Sequence, residues 1–228
     1  MSITKLALPE YELTLPMSGE TIKFRPFTVK EEKILLLAQE ENNISAIILA
    51  VSQMIDACTF SVCSIDTLNK VDAEFLFINL RNKSLGEGVE VNGLCKECNG
   101  KNFLVMDLED VNVRNKDFKK DVKLKDDVWV TMRIPTIKES LKIGKDDGYT
   151  AIALCLDTMV EGDSSITFTD YPLEDRIEWV ESLSPIQLQS FGDFFNNVPT
   201  LEFKYYYTCS HCQAMNTIII EGLEGFFV

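Results

Sequence analysis

The amino-acid sequence predicts an α+β protein in which one structural unit occurs twice. Three features support this prediction. A stretch of alternating apolar and polar residues ends at a proline in each half, at Pro26 and at Pro135. Each proline precedes a helix start of the form Thr-x-x-Glu, and a C-x-x-C pair closes each half. Strand-like alternation followed by helical spacing is typical of the α+β class.

Composition and charge narrow the class of protein. The chain has 228 residues, 46% hydrophobic and 25% charged, so it can bury a core as one large domain or two small ones. Its net charge of −14 disfavours nucleic-acid binding and favours either plain solubility or a partner with a basic surface. The longest apolar stretch, near residues 44–55, is too short and polar to cross a bilayer. Because the N-terminus also lacks an apolar leader, we expect folding in a cytoplasm.

The first half begins with a hairpin and continues with helices. Residues 11–25 alternate around a turn at 16–19, which is typical of a β-hairpin. Thr28-Val-Lys-Glu31 fits a capping box, in which threonine and glutamate side chains satisfy the first backbone groups of a helix. The elements predicted for this half are a hairpin (11–25), helices (28–39, 45–58 and 66–83) and two strands (89–91 and 103–108).

The second half repeats this order. Thr136-Ile-Lys-Glu139 matches the first capping box, and residues 45–49 align with residues 150–154 in sequence. The elements predicted for this half are a hairpin (122–134), helices (148–160, 173–182 and 185–196) and two strands (201–207 and 217–220). Matched residues are 105 to 114 positions apart, which indicates a duplicated unit with small insertions.

The repeat defines the predicted domain boundary. The charged stretch 114–121 is the expected linker between the two repeats. The first repeat, 1–112, carries Cys95 and Cys98, and the second, 113–228, carries Cys209 and Cys212. We expect the two repeats to pack as one compact unit, because a shared site would need both cysteine pairs.

The cysteine pattern predicts one structural zinc ion per chain, bound by Cys95, Cys98, Cys209 and Cys212. A C-x-x-C turn, or knuckle, directs two thiolates at one ion, and four thiolates close a tetrahedral zinc site. The usual gap between two such pairs is about 15 to 20 residues. Here 110 residues separate Cys98 from Cys209. The zinc-ribbon-like site would therefore be assembled by tertiary docking, with one knuckle from each repeat.

Other uses of these residues remain open from the sequence. An iron–sulfur cluster uses the same four thiolates, although we favour zinc. A redox C-x-x-C pair belongs at a helix start, whereas strands follow both pairs here. We expect His211 to be an exposed residue of the second turn. The three remaining cysteines (Cys58, Cys63 and Cys155) have apolar neighbours and are expected to be buried.

The sequence contains no motif of the common enzyme classes. It has no phosphate-binding P-loop, no dinucleotide fingerprint, no H-E-x-x-H and no G-x-S-x-G, and His211 is its one histidine. We therefore expect a protein that is not an enzyme, without catalytic or cofactor-binding residues other than the metal ligands. Phe226, Phe227 and Val228 end the chain, and this apolar end fits either the chain's own core or a groove on a partner.

Residues 24–37, Phe-Arg-Pro-Phe-Thr-Val-Lys-Glu-Glu-Lys-Ile-Leu-Leu-Leu, followed by two C-x-x-C knuckles, resemble the baseplate hub and hub assembly proteins of T4-type contractile-tailed bacteriophages. The resemblance implies a late, non-enzymatic role in building the baseplate or its hub, with other baseplate and hub proteins as partners. It places the protein in the virion tail, in the host cytoplasm during assembly, or in both. The alternatives are a zinc-ribbon regulator that binds nucleic acid or a polymerase, and a thiol redox protein.

Overall fold

The computed structural model of the chain describes residues 6–41, 43–86, 88–108, 111–144 and 147–221. Its helices are α1 (Val29–Glu40), α2 (Ile44–Cys58), α3 (Lys70–Leu85), α4 (Ile137–Ser140), α5 (Gly148–Cys155), α6 (Leu173–Glu181), α7 (Pro185–Gln189) and α8 (Gly192–Asn196). Its strands are β1 (Tyr11–Thr14), β2 (Thr21–Phe24), β3 (Gly88–Leu94), β4 (Lys101–Asp107), β5 (Asn112–Arg114), β6 (Asp121–Lys125), β7 (Val128–Met132), β8 (Leu156–Glu161), β9 (Ser164–Thr167), β10 (Thr200–Thr208) and β11 (Met215–Glu221). The α+β class is thereby confirmed.

The strands form four small antiparallel sheets. β1 pairs with β2 and β3 with β4, each as a two-stranded hairpin. β10 lies between β11 and β5, and β6 to β9 form a four-stranded meander in sequence order. Because burial alternates along β2, β4 and β7, each of these strands turns one face towards a core and the other towards solvent.

The chain packs as two compact units. The first comprises Met1–Ile65, Val71–Arg114 and Thr200–Val228, and the second comprises Asp66–Lys70 and Asn115–Pro199. The last hairpin, β10–β11, belongs to the first unit because β10 pairs with β5. The proposed repeats, 1–112 and 113–228, divide the chain differently, and that division stays a prediction about sequence ancestry.

Each unit has its own core. In the first unit the fully buried side chains include Phe24, Ile55, Phe77 and Met106. In the second unit the core cluster comprises Val122, Val130, Met132, Ile152, Ala153, Cys155, Leu156, Phe168, Val180, Phe191 and Phe194. None of the described helices has the length and apolar content needed to cross a membrane.

Two predicted helices differ from those observed. The helix predicted over 148–160 ends at Cys155, and residues 156–161 form strand β8. This overturns the sequence alignment of α2 with that stretch, because the alignment matches a helix to a strand. The helix predicted over 185–196 is two short helices, α7 and α8, separated by Ser190 and Phe191.

Candidate metal centre

The first knuckle is the turn between β3 and β4. The backbone N–H of Cys95 donates to the carbonyl of Gly100 (3.0 Å), and the N–H of Asn99 donates back to the carbonyl of Cys95 (2.9 Å). Asn99 has a φ of 55°, in the left-handed region that asparagine tolerates better than most residues. The turn therefore closes tightly and brings the sulfurs of Cys95 and Cys98 to the same side.

The second knuckle, between β10 and β11, has the same backbone arrangement 114 residues later. The N–H of Cys209 donates to the carbonyl of Ala214 (2.9 Å), and the N–H of Gln213 donates to the carbonyl of Cys209 (3.0 Å). Gln213 has a φ of 62° and corresponds to Asn99. The two knuckles are thus equivalent in hydrogen bonding as well as in sequence.

The structure brings the four predicted ligands together. The sulfur atoms of Cys95, Cys98, Cys209 and Cys212 lie within 4.8 Å of one another. The Cys95 and Cys212 sulfurs are 3.6 Å apart, and the Cys98 and Cys209 sulfurs are 3.7 Å apart. In a tetrahedral site with metal–sulfur distances of about 2.3 Å, neighbouring sulfurs are about 3.8 Å apart. Both short pairs join one knuckle to the other and have this spacing.

The four ligands differ in exposure. Cys95 and Cys209 are buried, while Cys98 and Cys212 are exposed. Each short sulfur pair therefore contains one buried and one exposed cysteine. Both knuckles belong to the same compact unit, although they come from opposite ends of the described chain.

Two asparagines connect the knuckles. Asn102, on β4, accepts the backbone N–H of Ser210 (2.8 Å), and Asn216, on β11, accepts the backbone N–H of Lys96 (2.9 Å). Each asparagine follows the first cysteine of its pair by seven residues. The sequence shows this repetition, but it does not reveal that each side chain bonds to the opposite knuckle.

His211 packs against the first knuckle. Its Nε2 lies 3.0 Å from the carbonyl oxygen of Lys101, so this nitrogen carries a proton and donates. A Cβ on Gly100 would lie 2.5 Å from Cδ2 of His211, which makes glycine necessary at that position. As predicted, His211 is an exposed turn residue, and its bonded Nε2 is not directed at the sulfurs.

Hydrogen bonds lower the pKa values of the two buried thiols. At Cys95 the largest contribution comes from the backbone N–H of Cys98, which stabilises the thiolate. At Cys209 burial favours the neutral thiol, but hydrogen bonds from the backbone at Cys212 and His211 outweigh burial and lower the pKa to about 6. These two sulfurs are therefore the ones most readily ionised for metal binding.

The two exposed thiols respond in the opposite direction. The backbone N–H of Ala214 favours the Cys212 thiolate, but hydrogen bonds with the other sulfurs, Cys98 first, raise its pKa to about 12. The pKa of Cys98 is also raised, although its largest single contribution, the backbone N–H of Gly100, lowers it. Four adjacent thiolates need a cation to neutralise their repulsion, and a bound divalent ion supplies that charge.

The remaining cysteines lie away from this cluster. Cys58, Cys63 and Cys155 are buried, as predicted. Burial is the largest cause of the raised pKa of each thiol, to about 12 at Cys58 and at Cys155. They are neutral at physiological pH and serve as small core residues.

Comparison with known proteins gives two matches. The family described as T4 bacteriophage base plate protein matches residues 8–228. The baseplate hub assembly protein gp26 of Enterobacteria phage T4 is 24% identical over 220 residues, which cover 96% of this chain and 98% of that protein. No solved structure matches the chain. The family match spans both knuckles, both capping boxes and all the described elements, and the chain belongs to the T4 bacteriophage base plate protein family.

Proposed function

We propose that this protein is a non-enzymatic component of baseplate hub assembly in a contractile phage tail. The observation that carries the proposal is the end-to-end match with the phage T4 hub assembly protein, which covers 98% of that protein. Because the match is not confined to one motif or unit, the shared role extends to the whole chain. Its place is the virion tail, or the host cytoplasm during assembly.

We propose further that Cys95, Cys98, Cys209 and Cys212 hold one structural zinc ion. The spacing of the sulfurs suits a single tetrahedral ion, because a polynuclear iron–sulfur cluster places several irons and sulfides between its cysteines and needs a wider cage. Four thiolates leave no open position for a substrate, which favours a structural role over a catalytic one. The ion would join a hairpin near the middle of the chain to the last described hairpin.

We also propose that the chain arose by duplication of an α+β unit. Arg25 bonds Glu31 through both carboxylate oxygens, and Arg133 bonds Glu139 in the same way, 108 residues later. Each glutamate also accepts the N–H of its capping-box threonine, Thr28 or Thr136. We call each arrangement of arginine, threonine and glutamate a latch, because it ties the end of a hairpin to the helix start that follows.

A third contact recurs with the latches. The backbone N–H of Arg25 donates to the carbonyl of Cys58 (3.0 Å), and that of Arg133 donates to the carbonyl of Cys155 (2.7 Å). The cysteines are 97 residues apart, outside the range of 105 to 114 predicted from sequence. The contacts therefore support a duplication in which the second repeat has a shorter helix before this cysteine.

Other baseplate and hub proteins are the proposed partners. The apolar end proposed for these contacts (Phe226, Phe227 and Val228) lies outside the described residues. Nucleic acid is not a proposed partner, because the net charge is −14. The exposed lysines beside the first knuckle, Lys96 and Lys101, stand next to the acidic Glu97.

The assembly role is tested by mixing the purified chain with each hub subunit of the phage that encodes it. We expect a stoichiometric complex with at least one subunit, measured by native mass spectrometry. A variant that ends at residue 225 should bind more weakly, whereas Asn92→Ala, on the exposed face of β3, should bind normally. Failure to bind any hub subunit, together with binding to DNA or turnover of a dithiol substrate, would support one of the alternative functions instead.

A further inference from the structure

We propose that Asn102 and Asn216 are a reciprocal pair of positioning residues for the cysteine site. Each asparagine belongs to one hairpin, holds the backbone of the opposite knuckle and donates its amide N–H to a buried cysteine sulfur. The pair would dock the hairpins and pre-arrange the sulfurs before any ion binds. This inference rests on the proposed metal site for its consequence for metal affinity, but not for the docking itself.

Asn102 uses its whole carboxamide. Its oxygen accepts the backbone N–H of Ser210 (2.8 Å) and lies 3.0 Å from the Ser210 hydroxyl. Its nitrogen donates to the carbonyl of Gly100 (3.0 Å) and to Sγ of Cys209 (3.6 Å). Two acceptor and two donor positions are all that an asparagine side chain has, so this buried group is fully bonded.

Asn216 makes the corresponding contacts in the opposite direction. Its oxygen accepts the backbone N–H of Lys96 (2.9 Å). Its nitrogen donates to the carbonyl of Ala214 (3.0 Å) and to Sγ of Cys95 (3.3 Å). Asn216 is also buried. The same three kinds of contact thus recur 114 residues later, with the roles of the two knuckles exchanged.

The orientation of both amides follows from their neighbours. The backbone N–H groups of Ser210 and Lys96 only donate, so each must face the side-chain oxygen. The nitrogen of each amide is then directed at a carbonyl of its own hairpin and at a cysteine sulfur. Rotating either amide by 180° would set N–H against N–H and a carbonyl against a carbonyl.

This arrangement separates two tasks. The bond to the carbonyl of its own hairpin, at Gly100 or Ala214, holds each amide rigid. The bonds to Ser210 or Lys96 tie that hairpin to the other knuckle. The N–H···S bonds reach the buried cysteines, which water reaches least, and orient their sulfurs. Partners that orient metal ligands in this way typically account for about 10- to 100-fold in metal affinity.

The docking is tested by hydrogen exchange on metal-free protein, read at single amides by NMR. We expect Asn102→Ala to speed exchange at Ser210, and Asn216→Ala to speed exchange at Lys96, so that each substitution acts on the opposite hairpin. Asn92→Ala is the control, because Asn92 is exposed on β3, and it should alter neither amide. Unchanged exchange at Ser210 and Lys96 in the alanine variants would overturn the proposal.

The effect on the sulfurs is tested by zinc competition with a chromophoric chelator. Asn102→Asp keeps the acceptor for Ser210 but loses both donors and adds a negative charge beside the sulfurs. We expect this variant to keep the protection of Ser210 and to bind zinc at least about 10-fold more weakly than the original chain. Equal zinc affinity in the original chain and the variant would overturn the orienting role of the N–H···S bond.

The two experiments separate the possible failures. If the original chain binds no zinc, the proposed metal site is wrong, while the exchange data still decide whether the asparagines dock the hairpins. If it binds zinc and the asparagine variants match it in both exchange and affinity, the metal site stands and the positioning role is wrong.

Discussion

The latches and the knuckles are both duplicated, but the two copies of each are used differently. The latch at Arg25 is built from residues of the first compact unit, and the latch at Arg133 from residues of the second. The two knuckles lie together in the first unit, where their four sulfurs form one cluster. A duplicated latch thus gives two separate sites, whereas a duplicated knuckle gives one site that needs both copies.

The two latches also lead into different helices. Helix α1, after the latch at Arg25, has 12 residues, whereas α4, after the latch at Arg133, has 4. Strong helix formers follow Glu31, while Gly144 follows Glu139 after one further turn. A latch therefore sets where a helix starts, and the residues beyond it decide how far the helix continues.

The arginines differ in their remaining contacts. Arg25 also donates to the carbonyls of Pro26 and Ala57. Nε of Arg133 is buried and has no hydrogen-bond partner among the described residues. The second latch consequently depends more heavily on its glutamate, Glu139, than the first depends on Glu31.

The largest expected effect is at the knuckles. Cys95→Ser and Cys209→Ser should each abolish tight metal binding and cost about 3 kcal/mol or more of unfolding free energy, because zinc binding contributes directly to folding. For a chain of this size that corresponds to a fall in Tm of about 6 to 12 °C. The double variant should melt close to either single variant, since both substitutions remove the same ion.

Calorimetry with and without a chelator checks this. The chelator should lower the Tm of the original chain and leave both variants unchanged. Additive losses in the double variant would mean that the knuckles are two independent sites, like the latches.

Glutamate substitutions at the latches should have the next largest effect. Glu139→Ala and Glu31→Ala should each cost about 2 to 3 kcal/mol, the range for losing hydrogen bonds to a charged partner. We expect the larger loss at Glu139, because Arg133 has fewer other acceptors. Urea unfolding of the two single variants and the double variant measures this, and the two losses should add because each latch is built within its own unit. A strongly non-additive pair would contradict that separation.

Gly100 and Ala214 provide a smaller test, since they occupy matched positions in the two knuckles. Gly100→Ala should cost about 1 to 2 kcal/mol, because its Cβ would meet the His211 ring. Combining it with His211→Ala should recover most of that loss in thermal unfolding. If the combined variant is no more stable than Gly100→Ala alone, the contact with His211 is not the reason for the glycine.

The smallest expected effect is on the pH dependence of stability. The hydrogen bond and charge of Arg25 hold the pKa of Glu31 at about 2, below its ordinary value of 4.5. A lowered carboxyl pKa contributes stability above the ordinary value, and this contribution is lost as the pH falls from about 4.5 towards 2. Glu31→Gln should therefore show a shallower loss of Tm over that window than the original chain. Parallel curves for the two proteins would contradict the pKa assignment.

Local features of this fold are predictable from the sequence, and features that depend on distant partners are not. The capping boxes and the C-x-x-C turns are each formed within a few residues, and all four occur where the sequence places them. Strand β8 is different. Its apolar spacing also fits a helix, but Thr158 and Val160 pair with Thr131 and Trp129 of β7, and this pairing outweighs local preference.

The same distinction applies to the site. The four cysteines can be recognised from their spacing, whereas the roles of Asn102 and Asn216 depend on how one hairpin lies against another. The arginines of the latches were also missed. Arg25 and Arg133 each precede a capping-box threonine by three residues, so comparison of the two halves at an offset of 108 would have found them.

Metal content tests the central claim, that two distant knuckles form one closed site. The measurement is elemental mass spectrometry of the purified full chain, with zinc and iron quantified together against protein concentration. We predict about one zinc per chain in the original protein and none in Cys95→Ser or in Cys209→Ser. Several irons per chain, or no metal together with four reactive thiols, would contradict it.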